Sequence, residues 1–437
     1  MNRQYILLAT AALIGMNVPV EAQTPASPQT TSILIMDATV HVGNGQFIRE
    51  GAVGFDKGKI TFVGRASEAD TTAFGEVIHA KDKHLYPGLI LPDNTLGLTE
   101  IDAIRPTLDF NETGSMNPNV RALVAFNTDS KIIPTLRANG VLLSQATPQG
   151  GLISGTSAIM QLDGWNWEDA VLEPEDGIHM HWPVTRYRGN PWRGEEGIQE
   201  NKNKPDVLEE LGLFFDRANA YAKDKQPEST NMKLHAMQGL FDGSRNLYIH
   251  VNDAREIMES VKFAQSKNVK KIVVVGAADA WMVTDFLKEN HIPVILRRAH
   301  ELPYRADEAV DQPYKTAAAL FRAQIPYCLD YAGDMEAMGA RNLPFVAGTT
   351  VAYGVPKEEA LASITLHAAE ILGISDRVGS LEVGKDATLF LSTGDVMEMM
   401  KNHLEVAYIA GKKLDLDTHQ KQLYREYAKK YGQEIKE

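Results

Sequence analysis

Three apolar runs in this chain each stop on a residue able to do chemistry. Leu89-Ile90-Leu91 gives way to Pro92-Asp93, Leu247-Tyr248-Ile249 to His250, and Tyr327-Cys328-Leu329 to Asp330. Two carboxylates and one imidazole at strand ends suit a hard divalent ion, which activates water for attack on a carbonyl. Without an ion, His250 would serve as a general base, oriented by Asp253 or Asp330. His179-Met180-His181 is a second candidate, because rings two residues apart on a strand share one face. A relocated metal pair and ordinary loop histidines are both open readings there. The third candidate is the Gly-rich segment 147–155, TPQGGLISG. Through Thr147, Gln149, Gly150 and Gly151 it offers backbone N–H groups to an anionic or carbonyl ligand, or else forms a structural turn. It lacks the lysine of a P-loop, which argues against a nucleotide phosphate.

These residues need a scaffold that gathers strand ends. From 141 onward, short apolar runs (141–145, 247–251, 271–275, 292–296, 326–329) alternate with helical patterns at 253–266, 278–288, 314–323, 342–353 and 357–372. Asp253 caps the first of these helices, with Ile257, Val261 and Ala264 on one face, and Gly373 stops the last. Strand-helix alternation predicts a parallel sheet of the TIM type, whose sites lie where the strands end. The less regular stretch 163–239 reads as an insertion over the barrel mouth. At the start, 33–80 alternates apolar and polar residues around turns such as Asn44-Gly45, a small antiparallel β unit. Segments 377–391 and 406–414 read as further strands, and 418–436 as an exposed helix.

Residues 1–22 have the three parts of an export signal. Arg3 supplies the positive region, 5–16 the apolar one, and Val20-Glu21-Ala22 the small residues before cleavage. The mature protein is therefore expected to be exported, periplasmic or secreted, with no membrane span. The chain has 437 residues, 44% hydrophobic and 23% charged, enough for one large domain plus a smaller one. A net charge of −13 offers no electrostatic footprint for nucleic acid. The single cysteine, Cys328, cannot form an internal disulfide and reads as a buried thiol.

The stretch 85–100, LYPGLILPDNTLGLTE, and the phrase VGSLEVGKDATLFL at 378–391 resemble the imidazolonepropionase-like branch of the amidohydrolase superfamily. The resemblance covers nearly all of 33–415. It implies a TIM-type (β/α)8 barrel with a small composite β-sandwich built from both chain ends. The layout would be signal peptide 1–22, sandwich 23–86, barrel 87–376 with the 163–239 insertion, sandwich 377–417 and tail 418–437. It also implies a divalent metal, zinc in the family, and hydrolysis of C–N bonds in a small molecule. Matched residue by residue, the first-strand His-x-His falls on Asp93 and Thr95. The strand-five histidine is His250, the strand-six histidine falls on Gly276, and the last-strand aspartate falls near Ala332, flanked by Asp330 and Asp334. Three readings stay open: a changed metal site of Asp93, His250 and Asp330; a metal-free binding protein or partner subunit in a homo- or hetero-oligomer with a related amidohydrolase; or metal-free hydrolysis through His250.

Overall fold

The apolar run 85–91 serves two sheets. The computed structural model describes residues 24–189, 192, 196–224, 229–333 and 335–435, so the export segment and Asp334 lie outside it. Strands β1 (Ile33–His41), β2 (Phe47–Asp56), β3 (Lys59–Arg65), β4 (Glu76–His79) and β5 (His84–Pro87) belong to one sheet, and β6 (Leu89–Asn94) opens the other. Gly88 is the break. A Cβ there would stand 2.7 Å from Thr388 Cγ2, and its N–H donates to Thr388 O at 2.9 Å.

The second sheet is the barrel. It continues with β7 (Val141–Ala146), β8 (Ile153–Gln161) and β9 (Val171–His181). After a hairpin of β10 (Arg186–Arg188) and β11 (Ile198–Glu200) come β12 (Asn246–Val251), β13 (Ile272–Gly276), β14 (Val294–Leu296) and β15 (Tyr327–Leu329). Its lumen is filled by Ile90, Leu143, Ile159, Tyr248, Val273, Val275, Ile295 and Cys328, so it is a packed core and not a pore. The alternate residues, among them Leu91, Leu142, Ile249 and Val274, pack outward into the larger cluster shared with the helices. The helix Ala254–Ser266 shows how a helix is fixed there. The Asp253 carboxylate accepts the N–H groups of Arg255 and Glu256, and Ile257, Val261 and Ala264 are buried.

Two features differ from the expected barrel. First, β8 runs antiparallel to both β7 and β9, so a meander replaces one strand-helix-strand unit. Second, β15 and β6 share no ladder among the described residues. Ser363 and Ile364 sit between them and accept the N–H groups of Leu329 and Ile90 at 3.1 and 2.9 Å. These two residues also break the helix expected over 357–372 into Lys357–Ala362 and Leu366–Leu372. The stretch 163–239 needs a correction too. It contains the barrel strand β9 and the 20-residue helix Lys204–Lys223, so the excursion begins only after His181.

The far end of the chain returns to the first sheet as β16 (Leu389–Ser392), β17 (Leu404–Ile409) and β18 (Lys412–Lys413). The order is β18-β17-β16-β5-β1-β2-β3, with β4 also beside β1. β16 pairs antiparallel with β5, placing Phe390 opposite Tyr86 with ring centroids 5.4 Å apart. Phe390 also fills the space over Gly140, just before β7, and so ties this one sheet, which stands where a two-sheet sandwich was expected, to the barrel. The helix His419–Tyr431 follows, capped by Thr418 and largely exposed. No helix among the described residues is long and apolar enough to cross a membrane.

Because Phe390 is fully buried at this seam, Phe390→Ala is expected to destabilise the protein by about 3–5 kcal/mol, the range for an unfilled aromatic cavity. Denaturant unfolding measures it, and a loss under about 1 kcal/mol would show that the two parts are not coupled through this ring.

Candidate metal centre

Asp93 ends β6 in an unusual backbone. Its φ is +42°, and the β6–β7 register shifts between Leu91 and Asn94. The N–H therefore leaves the ladder and donates instead to Gln145 Oε1 at 2.9 Å. The carboxyl is buried. Its Oδ1 has no hydrogen-bond partner, while the Thr147 hydroxyl bonds to the carboxyl group.

Two imidazoles face that oxygen. His250, at the end of β12, lies opposite His181 of β9 in the parallel ladder. His250 Nε2 is 3.7 Å from Asp93 Oδ1, and His179 Nδ1 is 3.8 Å from it. The two ring nitrogens are 2.9 Å apart. His181 stacks on His250 at 4.2 Å between centroids, and its Nε2 is buried without a partner. The histidine pair of β9 is thus part of the barrel mouth.

Each ring is held from behind. His179 Nε2 is 2.9 Å from Ser157 Oγ, and Ser157 donates to Asp176 Oδ1 at 2.7 Å. Gln145 Nε2 and the Tyr248 hydroxyl donate to Asp176 Oδ2 at 2.7 and 2.8 Å. Tyr248 also stacks under His179 at 4.6 Å.

Asp330 follows β15 directly, so it, and not Ala332, is the residue at the end of the last strand. Its Oδ1 accepts the Ala332 N–H at 3.0 Å, and its buried Oδ2 has no partner. Among the described residues the donors that converge are Asp93, His179 and His250, and Asp330 is not one of them. The converging group shares Asp93 and His250 with the expected set and has His179 where that set had Asp330. Thr95 contributes its N–H, which donates to Glu336 Oε1 at 3.0 Å. At Gly276 the backbone turns left-handed (φ +88°), and a Cβ would meet Asn252 Oδ1 at 2.8 Å. A histidine does not fit there without moving Asn252.

In the Gly-rich segment the residues divide. Thr147 touches Asp93, and Gln149 Nε2 donates to Glu336 Oε1 at 2.9 Å. Gly150 and Gly151, at φ +87° and +69°, form a turn against Asn111 and the 114–115 backbone. The Gln149 N–H is taken by Phe110 O, so this segment offers less open backbone than its composition suggests.

Burial dominates the electrostatics. It raises the carboxyls of Asp93 and Asp330, and the negative charge of Asp93 adds to the shift at Asp330. Burial, then Asp93, moves Glu336 up to about 7, and burial moves Asp176 up to about 6 against three hydrogen bonds. Burial lowers His250 to about 4 and, together with the neighbouring His250, lowers His181 to about 3 and His179 well below its ordinary value. Burial therefore favours neutral rings, the form in which an imidazole nitrogen can bind an ion, beside acids whose charge it disfavours.

A divalent cation fits this arrangement. The circle through the three converging atoms has a radius of about 2.0 Å, the distance zinc keeps to nitrogen and oxygen ligands. Three protein donors leave a position for water, as in catalytic zinc sites. The unpartnered Asp93 Oδ1 is an independent sign, since buried acceptors are normally satisfied.

Residues 229–414 match the family described as the amidohydrolase family. The solved amidohydrolase of Thermotoga maritima shares the fold, with a TM-score of 0.75 at 23% identity over 88% of this chain and 99% of that one. The imidazolonepropionase of Syntrophobacter fumaroxidans is 40% identical over 67 residues, 15% of this chain and 16% of the relative. That of Erwinia tasmaniensis is 60% identical over 35 residues, 8% of this chain and 9% of the relative. The matched segments thus span only a small part of those two enzymes. The family match thus covers 229–414, and the barrel with its sheet built from both chain ends has the fold of the solved amidohydrolase.

The raised carboxyls fix a pH dependence. Folded Asp93, Asp176 and Glu336 hold protons that the unfolded chain releases, so their contribution is favourable at low pH and lost as pH rises through about 6 to 7. Metal-free protein is expected to melt higher at pH 6 than at pH 8, and Asp93→Asn to flatten the difference. Added zinc should raise the melting temperature more at pH 8 than at pH 6. Scanning calorimetry reads all three, and a zinc effect larger at pH 6 would contradict the assignment.

Proposed function

We propose that this protein is a metal-dependent hydrolase of C–N bonds in a small cyclic amide or peptide-like molecule. Asp93, His179 and His250 would hold one divalent cation. The observation that carries this reading is the convergence of Asp93 Oδ1 with two neutral ring nitrogens. Bound there, the cation would supply an acidified water and a polarised substrate carbonyl.

The chain's own groups divide the remaining work. Asp330 Oδ2, buried and without a partner, holds a proton and passes it to the leaving nitrogen. Glu336 braces the first strand end by accepting from Thr95 and Gln149. His181 Nε2, buried and unpartnered, orients a substrate polar group. The likeness to imidazolonepropionases supports a small imidazolone-like ring as the substrate class. The three-part pattern of residues 1–22 supports export of the chain.

One observation favours a second reading. The 2.9 Å contact between His179 Nδ1 and His250 Nε2 is also a good hydrogen bond, in which a proton stands where an ion would. In that case the protein is a metal-free binding protein or the partner subunit of a related amidohydrolase.

Metal analysis of the purified mature chain separates the two. The hydrolase reading expects about one zinc or other divalent ion per chain, near-complete loss of it in His250→Ala, and hydrolysis of at least one compound in a panel of cyclic and N-acyl amides. A folded wild-type protein that takes up no divalent ion and hydrolyses none of the panel would overturn it.

A further inference from the structure

We infer that Asp176, acting through Ser157, fixes which nitrogen of His179 carries the ring proton, and thereby makes His179 Nδ1 a ligand atom. Asp176 is a positioning residue here: it reaches the ion only through two other side chains. The inference deepens the hydrolase reading and rests on it for the identity of the ligand.

The argument is a count of protons along a closed chain of hydrogen bonds. Gln145 starts it. Its Oε1 accepts the Asp93 N–H at 2.9 Å, so its Nε2 must face the other way. That Nε2 donates to Asp176 Oδ2 at 2.7 Å and lies 3.3 Å from Ser157 Oγ. The Tyr248 hydroxyl, itself an acceptor from Asn246 Nδ2 at 2.9 Å, donates its only proton to Asp176 Oδ2. An ionised Asp176 carboxylate donates nothing, so the 2.7 Å contact at Oδ1 requires the Ser157 proton. Ser157 then has only lone pairs left. Its 2.9 Å contact with His179 Nε2 requires the proton on Nε2, which leaves Nδ1 bare. Nδ1 is the atom that faces Asp93 Oδ1 and His250 Nε2. Gln145, Ser157, Asp176, Tyr248 and His179 are all buried, so water does not substitute for a missing donor among them. The shorter contact with the acid, 2.7 Å against 3.2 Å to Gly177 O, takes the Ser157 proton and so sets the polarity at His179.

The same logic dictates what an amide would do in place of the acid. In Asp176→Asn, Gln145 Nε2 still needs an acceptor at the Oδ2 position, so the new carbonyl oxygen must lie there. The new NH2 group then faces Ser157 and donates to it. Ser157 turns its proton toward His179 Nε2, the nearer of its two remaining acceptors at 2.9 Å against 3.2 Å for Gly177 O, and the ring proton moves to Nδ1. The ligand lone pair is lost with almost no change of shape.

The test uses the mature full-length protein at pH 8, labelled with 15N at histidine. Long-range proton–nitrogen spectra of the metal-free form distinguish a protonated from a bare ring nitrogen. Wild type should show His179 with Nε2 protonated. Asp176→Asn should show Nδ1 protonated, and its affinity for zinc, measured by competition with a chromogenic chelator, should fall by about 10- to 100-fold, the usual cost of losing such a partner. Ser157→Ala, which removes the hydroxyl but not the acid, should give mixed tautomers and an intermediate affinity. It stands in if the asparagine variant does not fold. A wild-type ring protonated at Nδ1, or an unchanged tautomer and zinc affinity in both variants, would overturn the inference. A wild type protonated at Nε2 that takes up no zinc upholds the tautomer lock and sinks the hydrolase reading instead.

Discussion

A buried carboxylate oxygen must be matched by a donor, a proton or a cation, and Asp93 Oδ1 has no donor. Much of the barrel mouth can be read as a response to that one unsatisfied atom. The left-handed backbone at Asp93 turns the group inward, and Gln145 takes the N–H displaced from the ladder. β9 and β12 bring neutral ring nitrogens to it. Burial that would be costly around a lone acid becomes useful when an ion is the intended partner, because the same low dielectric strengthens each ligand bond.

The polar groups behind the ligands extend the same economy inward. Asp176, Ser157, Gln145 and Tyr248 bond to one another with heavy-atom distances of 2.7–3.3 Å. They occupy space that a barrel usually fills with apolar side chains, yet each has its hydrogen-bond needs met from inside the barrel. Such a network resists partial substitution, since removing one member strands its neighbours.

The fold was largely legible because barrel strands are short apolar runs stopped by polar residues. That pattern exposed Asp93, His250 and Asp330, and the two chain ends carried hairpin and family signatures. His179 was harder. Its strand carries Glu173, Glu175 and Asp176 in place of an apolar run, and its neighbour β8 pairs antiparallel, so 163–239 looked irregular. The His-x-His spacing was the usable signal, and what it lacked was a place in the barrel. Glu336 and Ser157 gave no signal of their own. Glu336 matters through Thr95, 241 residues away, and Ser157 through the face of β9 that its antiparallel register happens to meet. Such roles arise from tertiary contact alone. The left-handed turn at Gly276 likewise explains why no ring occupies the sixth strand end, a fact invisible without backbone angles.

The two-residue clasp at Ser363 and Ile364 closes the barrel where a ladder would otherwise run. The strands it joins are the ones that end in Asp93 and Asp330, whose charges repel. The first and last barrel strands thus meet through a helix break, each by one backbone hydrogen bond, and not through each other.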